Sequence, residues 1–192
     1  MARNVEFNEE EAIQKATQVF WEKGYNGASL RDLTDAMQIN SSSLYNTIGD
    51  KHQLFIRCLN YYIETKRAML QAQAESATSP LEALIKFIDA ASATIIQDSS
   101  GCLAVKTAFE ISPRDTRIQS ILKTDSDFTR TFLSSLIDQA MQQGQVVKGE
   151  QPELLADYII GSYTGWYELH LLYNDPQKIR KLSQLLIRQI SV

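Results

Sequence analysis

Apolar residues recur every third or fourth position along almost the whole of this chain: Ile13, Ala16 and Phe20; Leu81, Leu84, Ile85 and Ile88; then Ile118, Ile121, Leu122, Phe128, Phe132, Leu136 and Ala140. That spacing gathers each group on one side of an α-helix, and the two-residue alternation of a half-buried strand is nearly absent. The chain is therefore expected to be all-α. Its prolines stand where helices can begin, at Ser79-Pro80, Ser112-Pro113, Gln151-Pro152 and Asp175-Pro176, because proline in the first turn forfeits no hydrogen bond. Ser79 to Glu82, Ser112 to Asp115, Asn8 to Glu11 and Asp50 to Gln53 add the spacing of a capping box. Breaks at Gly24, Gly49, Ser99-Ser100-Gly101, Gly144 to Gly149 and Asn174 divide the text into about nine helices.

A chain of 192 residues, 44% hydrophobic, has enough apolar material for one packed domain or two small ones. The opening MARNVEFNEEEA holds no signal-like apolar run, and no stretch approaches the roughly 18 apolar residues that span a bilayer. A cytoplasmic protein with no membrane partner is expected. Cys58 and Cys102 are far apart and lack CxxC spacing, so neither a disulfide framework nor a metal site is indicated. The net charge of −4 excludes a broadly basic surface, so any contact with nucleic acid must be local and geometric. Residues 1–56 carry five basic side chains (Arg3, Lys15, Lys23, Arg31, Lys51) against eight acidic ones (Glu6, Glu9, Glu10, Glu11, Glu22, Asp32, Asp35, Asp50).

From Ser29 to Leu54 the text reads SLRDLTDAMQINSSSLYNTIGDKHQL, the spacing of two short helices joined by a tight turn, then a longer helix. Ser29 caps the first, which turns Leu30, Leu33 and Met37 inward, and Ile39 closes the turn. Leu44 and Ile48 pack the second helix against the first and leave Ser41, Ser42, Ser43, Asn46 and Thr47 on its other face. A helix this short is held by packing, not by propensity. A major groove about 12 Å wide admits one helix, and small hydroxyl and amide side chains let its backbone approach base edges closely. Tyr45 and Lys51 are then placed to reach phosphates, Lys51 aided by the helix N-terminus near Asp50.

At these residues the chain resembles the TetR family of transcriptional regulators, whose DNA-binding region reads roughly A-x-x-x-F-x-x-x-G-[YF]-x-x-[TS]-[ST], then a helix-turn-helix ending L-Y-x-x-F-x-x-K. The counterparts are Ala16, Phe20, Gly24, Tyr25, Ala28, Ser29, Leu44, Tyr45 and Lys51. The resemblance implies a three-helix DNA-binding domain over 1–50 and a helical ligand-binding and dimerisation domain over 51–192. Carried over residue by residue, it gives Ser29 and Arg31, then Ser41, Ser42, Ser43, Tyr45 and Asn46, and finally Lys51 as DNA contacts, with Arg31 best suited to guanine. Two departures stand out: Gln38 occupies the usual glycine of the turn, and Ile48 replaces the common phenylalanine. Positive φ at Gln38 would store strain of order one kcal/mol.

The resemblance further implies a repressor that leaves its operator on binding a small apolar or amphipathic effector, with no cofactor. The helix from about Lys51 to Ala74 is the expected lever. The last two helices, Pro152 to Tyr173 and Pro176 to Ile190, are expected to pair two copies into a homodimer along the stripe Leu182, Leu185, Leu186 and Ile190, while Gly161 and Gly165 either permit a close approach of the helices or open room for a ligand. Two-fold symmetry also sets recognition helices about 34–36 Å apart on successive major grooves. The segment Gly101 to Glu110, GCLAVKTAFE, resembles a GC-containing helix of one TetR subgroup that often has Asn in place of Lys106.

Phe87, Phe109, Phe132, Tyr163, Trp166, Tyr167 and His170 are either pocket lining or ordinary core, and Cys102 joins them as a ligand contact. Cys102 is either an inert buried thiol or a sensor of electrophiles and oxidants activated by Lys106 one turn on. An enzyme is not expected: His52 and His170 belong to no catalytic motif, and the carboxylates are scattered over polar helix faces. A helical protein-interaction module shares the amphipathic helices but has no use for the Ser29 to Lys51 arrangement.

Overall fold

A computed structural model describes residues 8–97 and 101–192; Arg3, Glu6 and the Ser99-Ser100 break lie outside them. The described residues form nine α-helices: α1 (Glu9–Gly27), α2 (Leu30–Met37), α3 (Ser41–Thr47), α4 (Lys51–Glu75), α5 (Pro80–Gln97), α6 (Leu103–Glu110), α7 (Thr116–Gln142), α8 (Pro152–Tyr173) and α9 (Pro176–Ile190). A single 3-10 turn, Ser112–Arg114, joins α6 to α7.

The helices begin where short polar side chains can accept the first orphaned amides. Asn8 Oδ1 accepts from the amides of Glu10 and Glu11, Asp50 Oδ1 from Gln53 N, Ser79 Oγ from Glu82 N and Asp175 Oδ1 from Lys178 N. Glu82 turns to Thr78, accepting from its amide and its hydroxyl, and with Lys86 this lowers its pKa to about 2. Pro80, Pro152 and Pro176 each open a helix. Pro113 lies in the 3-10 turn instead, and α7 is started by Asp115, whose Oδ1 accepts from Arg117 N and Ile118 N.

Internal contacts divide the chain into two units. The first takes residues 1–65 and 102–121, the second 66–101 and 122–192. In the first, α1 packs on α2 and on α6, and Phe20, Leu33, Leu44, Leu54, Phe55, Leu59, Leu103 and Ile118 are almost wholly buried. Phe20 and Phe55 meet edge to face at 4.9 Å. Each such side chain contributes about 1.5–3 kcal/mol of burial, which is what holds helices as short as α2 and α3.

In the second unit α5 packs on α8 and α9, around Leu84, Ile88, Leu133, Ile137, Ile159 and Ile179. Asp125 is buried there and accepts from Lys66 Nζ and Arg67 Nε; Arg67 also lies 4.5 Å over the Phe128 ring. The chain end is tied in by Val147 N to Ile190 O (2.9 Å) and Val192 N to Gln145 O (3.1 Å), over a buried Val146.

Candidate nucleic-acid interface

The second short helix is oriented by its own apolar residues. Leu44 and Ile48 are buried, so Ser41, Ser42, Tyr45, Asn46 and Thr47 are turned to solvent; Ser43 is half-buried. The polar face anticipated from spacing is thus outward. Its N-cap is Asn40, whose Oδ1 accepts from Ser43 N at 2.8 Å, a cap that the text announces by an Asn ahead of three serines.

The helices on either side are fixed by two backbone turns in the left-handed region. Gln38 follows α2 at φ 57°, ψ 38°, so the strained, non-glycine turn expected here is present; Ile39 N then donates to Thr34 O at 3.1 Å. Gly49 separates α3 from α4 at φ 109°, and a Cβ added to it would stand 1.5 Å from Gln53 Oε1. Glycine alone fits there.

Ser29 forms a full capping box with Asp32: Asp32 N donates to Ser29 Oγ, while the Ser29 amide and hydroxyl both donate to the Asp32 carboxylate. Lys23, 2.7 Å from that carboxylate, is the largest cause of its depressed pKa, ahead of Ser29. Most of the bonding capacity of the Ser29 hydroxyl is therefore committed within the chain. Arg31 is 90% exposed and only loosely paired with Asp35, at 3.6 Å, so its guanidinium is available to a partner.

Lys51 stands at the first position of α4. Its ammonium lies 4.6 Å from the centre of the Tyr25 ring, and the α4 N-terminus beside it is already capped by the Asp50 carboxylate. Tyr25 packs against Phe55 and His52, and burial, then Asp50 and Asp115, push its phenol above its ordinary pKa. The text shows a lysine at a helix start; it does not show the aromatic ring that carries it.

The anticipated pocket residues are divided between the two units. Phe87 and Tyr163 meet at 6.1 Å in the second unit, where Trp166, Tyr167 and His170 are also buried and Phe132 is stacked with Phe128. Phe109 is 74% exposed, and both it and Cys102 belong to the first unit. Cys102 accepts from the Tyr62 hydroxyl at 3.5 Å, and the Lys106 ammonium expected to activate it donates instead to Trp21 O at 2.7 Å. Two further contacts of the first unit were invisible to local reading: Glu110 bonded to the amides of Tyr25 and Asn26, and His52 Nε2 2.5 Å from Asp115 Oδ2. No helix among the described residues is long and apolar enough to cross a membrane.

A capped pair of short helices with a polar outer face, braced by a third, is a helix-turn-helix DNA-binding head. Family models agree on both parts of the chain: residues 12–58 match bacterial regulatory proteins of the tetR family, and residues 80–186 match the tetracyclin repressor-like C-terminal domain. The chain belongs to the TetR family of transcriptional regulators. It is 31% identical over 160 residues to the uncharacterized HTH-type regulator YezE of Bacillus subtilis, covering 81% of each chain. It is 26% identical to the HTH-type transcriptional repressor DhaR of a Mycobacterium species, covering 80% of this chain and 77% of the relative. The fold matches that of the regulator CifR, a cysteine mutant solved with 26-bp operator DNA, at a TM-score of 0.83, 23% identity and coverage of 98% and 100%.

Proposed function

We propose that two copies of this chain bind a two-fold operator with α3 of each in a major groove, repress transcription there, and release the DNA when a small apolar or amphipathic molecule enters the second unit. The carrying observation is the orientation of α3, with Leu44 and Ile48 inside and Ser41, Ser42, Tyr45 and Asn46 outside. Ser41, Ser42, Ser43 and Asn46 are assigned to base edges with Arg31, and Tyr45 and Lys51 to phosphates; Ser29 holds the start of α2 at the DNA surface. Repression is the role named for DhaR, and operator binding is what CifR does with the same fold. In this reading residues 1–50 together with Lys51 carry the DNA contacts and the rest of 51–192 the effector and dimer surfaces, with α4, unbroken from Lys51 to Glu75, as the lever.

The dimer assignment is supported by Leu154, Tyr158, Gly161, Gly165 and Leu172, which fall on one face of α8: the three large side chains are exposed and open space lies beside both glycines. Leu185 is exposed on α9. A second copy is the occupant that a family of DNA-binding dimers supplies. The effector assignment is supported by Phe87, Tyr163, Trp166 and Tyr167 in the second unit. Two buried polar atoms of that unit, Gln73 Oε1 and His170 Nδ1, have no hydrogen-bond partner among the described residues. An unpaired buried polar atom costs about 1–3 kcal/mol, so an apolar ligand with one or two polar groups gains by meeting them.

Selection of bound duplexes from random DNA tests the reading, followed by binding of Tyr45→Ala and Ser42→Ala to the selected site. Both should lower affinity about tenfold or more while helicity and dimerisation persist. Unchanged affinity would remove α3 from the groove.

A further inference from the structure

The helix that resembles the GC-containing element of the TetR subgroup makes a contact to which the functional reading gives no role. α1 does not run evenly to Gly27: at Gly24 the backbone turns to φ 72°, ψ 174°. A break of this kind orphans carbonyls on the side before it and amides on the side after it. The carbonyls carry the negative end of one short dipole and the amides the positive end of the next. α6 meets both. Lys106 Nζ donates to Trp21 O at 2.7 Å and Glu22 O at 3.4 Å. Glu110, one turn further along α6, accepts from Asn26 N at 2.8 Å with Oε1 and from Tyr25 N at 3.1 Å with Oε2. A cation sits on the carbonyl end and an anion on the amide end, at a spacing of four residues. The carboxylate is close enough that a Cβ on Gly24 would stand 2.9 Å from Oε2.

We infer that Lys106 and Glu110 are positioning residues for DNA binding: they clamp the break at Gly24 and so fix the direction in which residues 25–28 deliver the chain into α2 and α3. The clamped segment lies between the two parts of the head. Tyr25 carries Lys51 on its ring, Ala28 N closes the break on Gly24 O at 3.2 Å, and Ser29 starts α2. Losing the clamp leaves the α3 surface chemically intact but wrongly presented. That is a defect in affinity without a missing DNA contact. This inference rests on α2 and α3 being the DNA-reading head.

The test uses the full-length dimer and the duplex that the unaltered protein selects from random DNA. Glu110→Gln is nearly isosteric but turns an amino group toward an amide donor; Lys106→Met keeps the stem and removes the charge; Lys106→Arg is the conservative rescue. Affinity is measured on the active fraction, fixed by stoichiometric titration, over a range of salt, with amide hydrogen exchange at Tyr25 and Asn26. Glu110→Gln should exchange faster at both amides and bind about tenfold more weakly. Lys106→Met should lose a few-fold, and Lys106→Arg should bind as the original does. The double variant should lose less than the product of the two, since both act on one break. The slope of log affinity against log salt should not change, because no phosphate contact is removed. Ile13→Val, a trim in the same unit's core, is the control for stability alone. Original affinity in Glu110→Gln despite faster exchange would overturn the inference, as would an equal loss in an Ile13→Val protein of matched melting temperature. Failure of the unaltered protein to enrich any duplex would instead overturn the DNA-binding reading, and the clamp's role with it.

Discussion

The Lys51 ammonium lies over the face of Tyr25, 4.6 Å from the ring centre, so a cation at the start of α4 is held by a residue from the broken end of α1. A ring quadrupole attracts the charge without neutralising it, and the ammonium keeps its donors for a phosphate. Lys51→Met should therefore lower the salt dependence of operator binding by about one unit of slope. Tyr25→Leu, which removes the platform and keeps the charge, should weaken binding with the slope retained. Filter or anisotropy titrations at four or five salt concentrations separate the two; an unchanged slope in Lys51→Met would place its ammonium away from the DNA backbone.

His52 and Asp115 bridge α4 and the start of α7 inside the first unit. The Asp115 carboxyl is held below its ordinary pKa by the amide of Ile118 first, then by His52, with a smaller contribution from Arg117 N. A depressed carboxylate stabilises the fold above its unfolded pKa, about 4, and that stability is lost as pH falls through the folded value. Asp115→Ala should cost about 1 kcal/mol at pH 7, the worth of a helix cap. The difference from the original should shrink steadily below about pH 4. Urea unfolding at pH 7, 5 and 3 measures this, and a constant difference would deny that the ionised form is what the fold holds.

The turn after α2 is where local reading reached furthest into backbone geometry. A glutamine in place of the family's glycine raised the question of positive φ, and Gln38 has it. Replacing it with glycine should add about 0.5 kcal/mol, the relief of a left-handed side chain less the entropy glycine gains when unfolded. Gly49→Ala should do the reverse and cost about 1–3 kcal/mol, since Gln53 occupies the space a Cβ needs. Thermal melts of both variants give the signs; a destabilised Gln38→Gly would show that the side chain makes contacts outweighing its backbone strain.

What the text disclosed and what it concealed follow from the range of each interaction. Asn8, Ser29, Asp50, Ser79 and Asp175 cap their helices through bonds spanning two or three residues, and Leu44 and Ile48 declare the inner face of α3 by spacing alone. The bonds of Glu110 to Tyr25 and Asn26, and of Lys106 to Trp21, span about 85 residues. A break at Gly24 does announce that orphaned groups need partners, but nothing local says that α6 supplies them. The same gap hid the surroundings of Phe109: weighed as pocket lining or core, it is exposed in the first unit.

Cys58 tests the burial of that unit directly. It is fully buried, its Sγ 3.7 Å from Ile13 O, and burial pushes its thiol pKa up to about 12. Because the folded value is raised, its contribution to stability is complete below the unfolded thiol pKa of about 8.5 and is lost as pH climbs through the folded one. At pH 8 the native protein should yield at most one titratable thiol, and the second only on denaturation. Two thiols reacting at equal rates in the native state would mean that the first unit opens far more readily than its packing implies.

The exposed face of α8 gives the sharpest division between a fold effect and an assembly effect. Leu172 is 67% exposed in the single chain, so Leu172→Glu removes almost no buried contact and should leave the secondary structure of each copy intact. At a self-complementary interface the substitution enters twice, once from each copy, and each buried carboxylate loses its hydration. Sedimentation should find Leu172→Glu as monomer where the original is dimer. Operator affinity should fall steeply, because each head then binds one half-site without the help of its twin. Leu171→Glu, also exposed but one residue away around the helix, is the comparison. A dimer that survives Leu172→Glu would place the contact between copies on another surface.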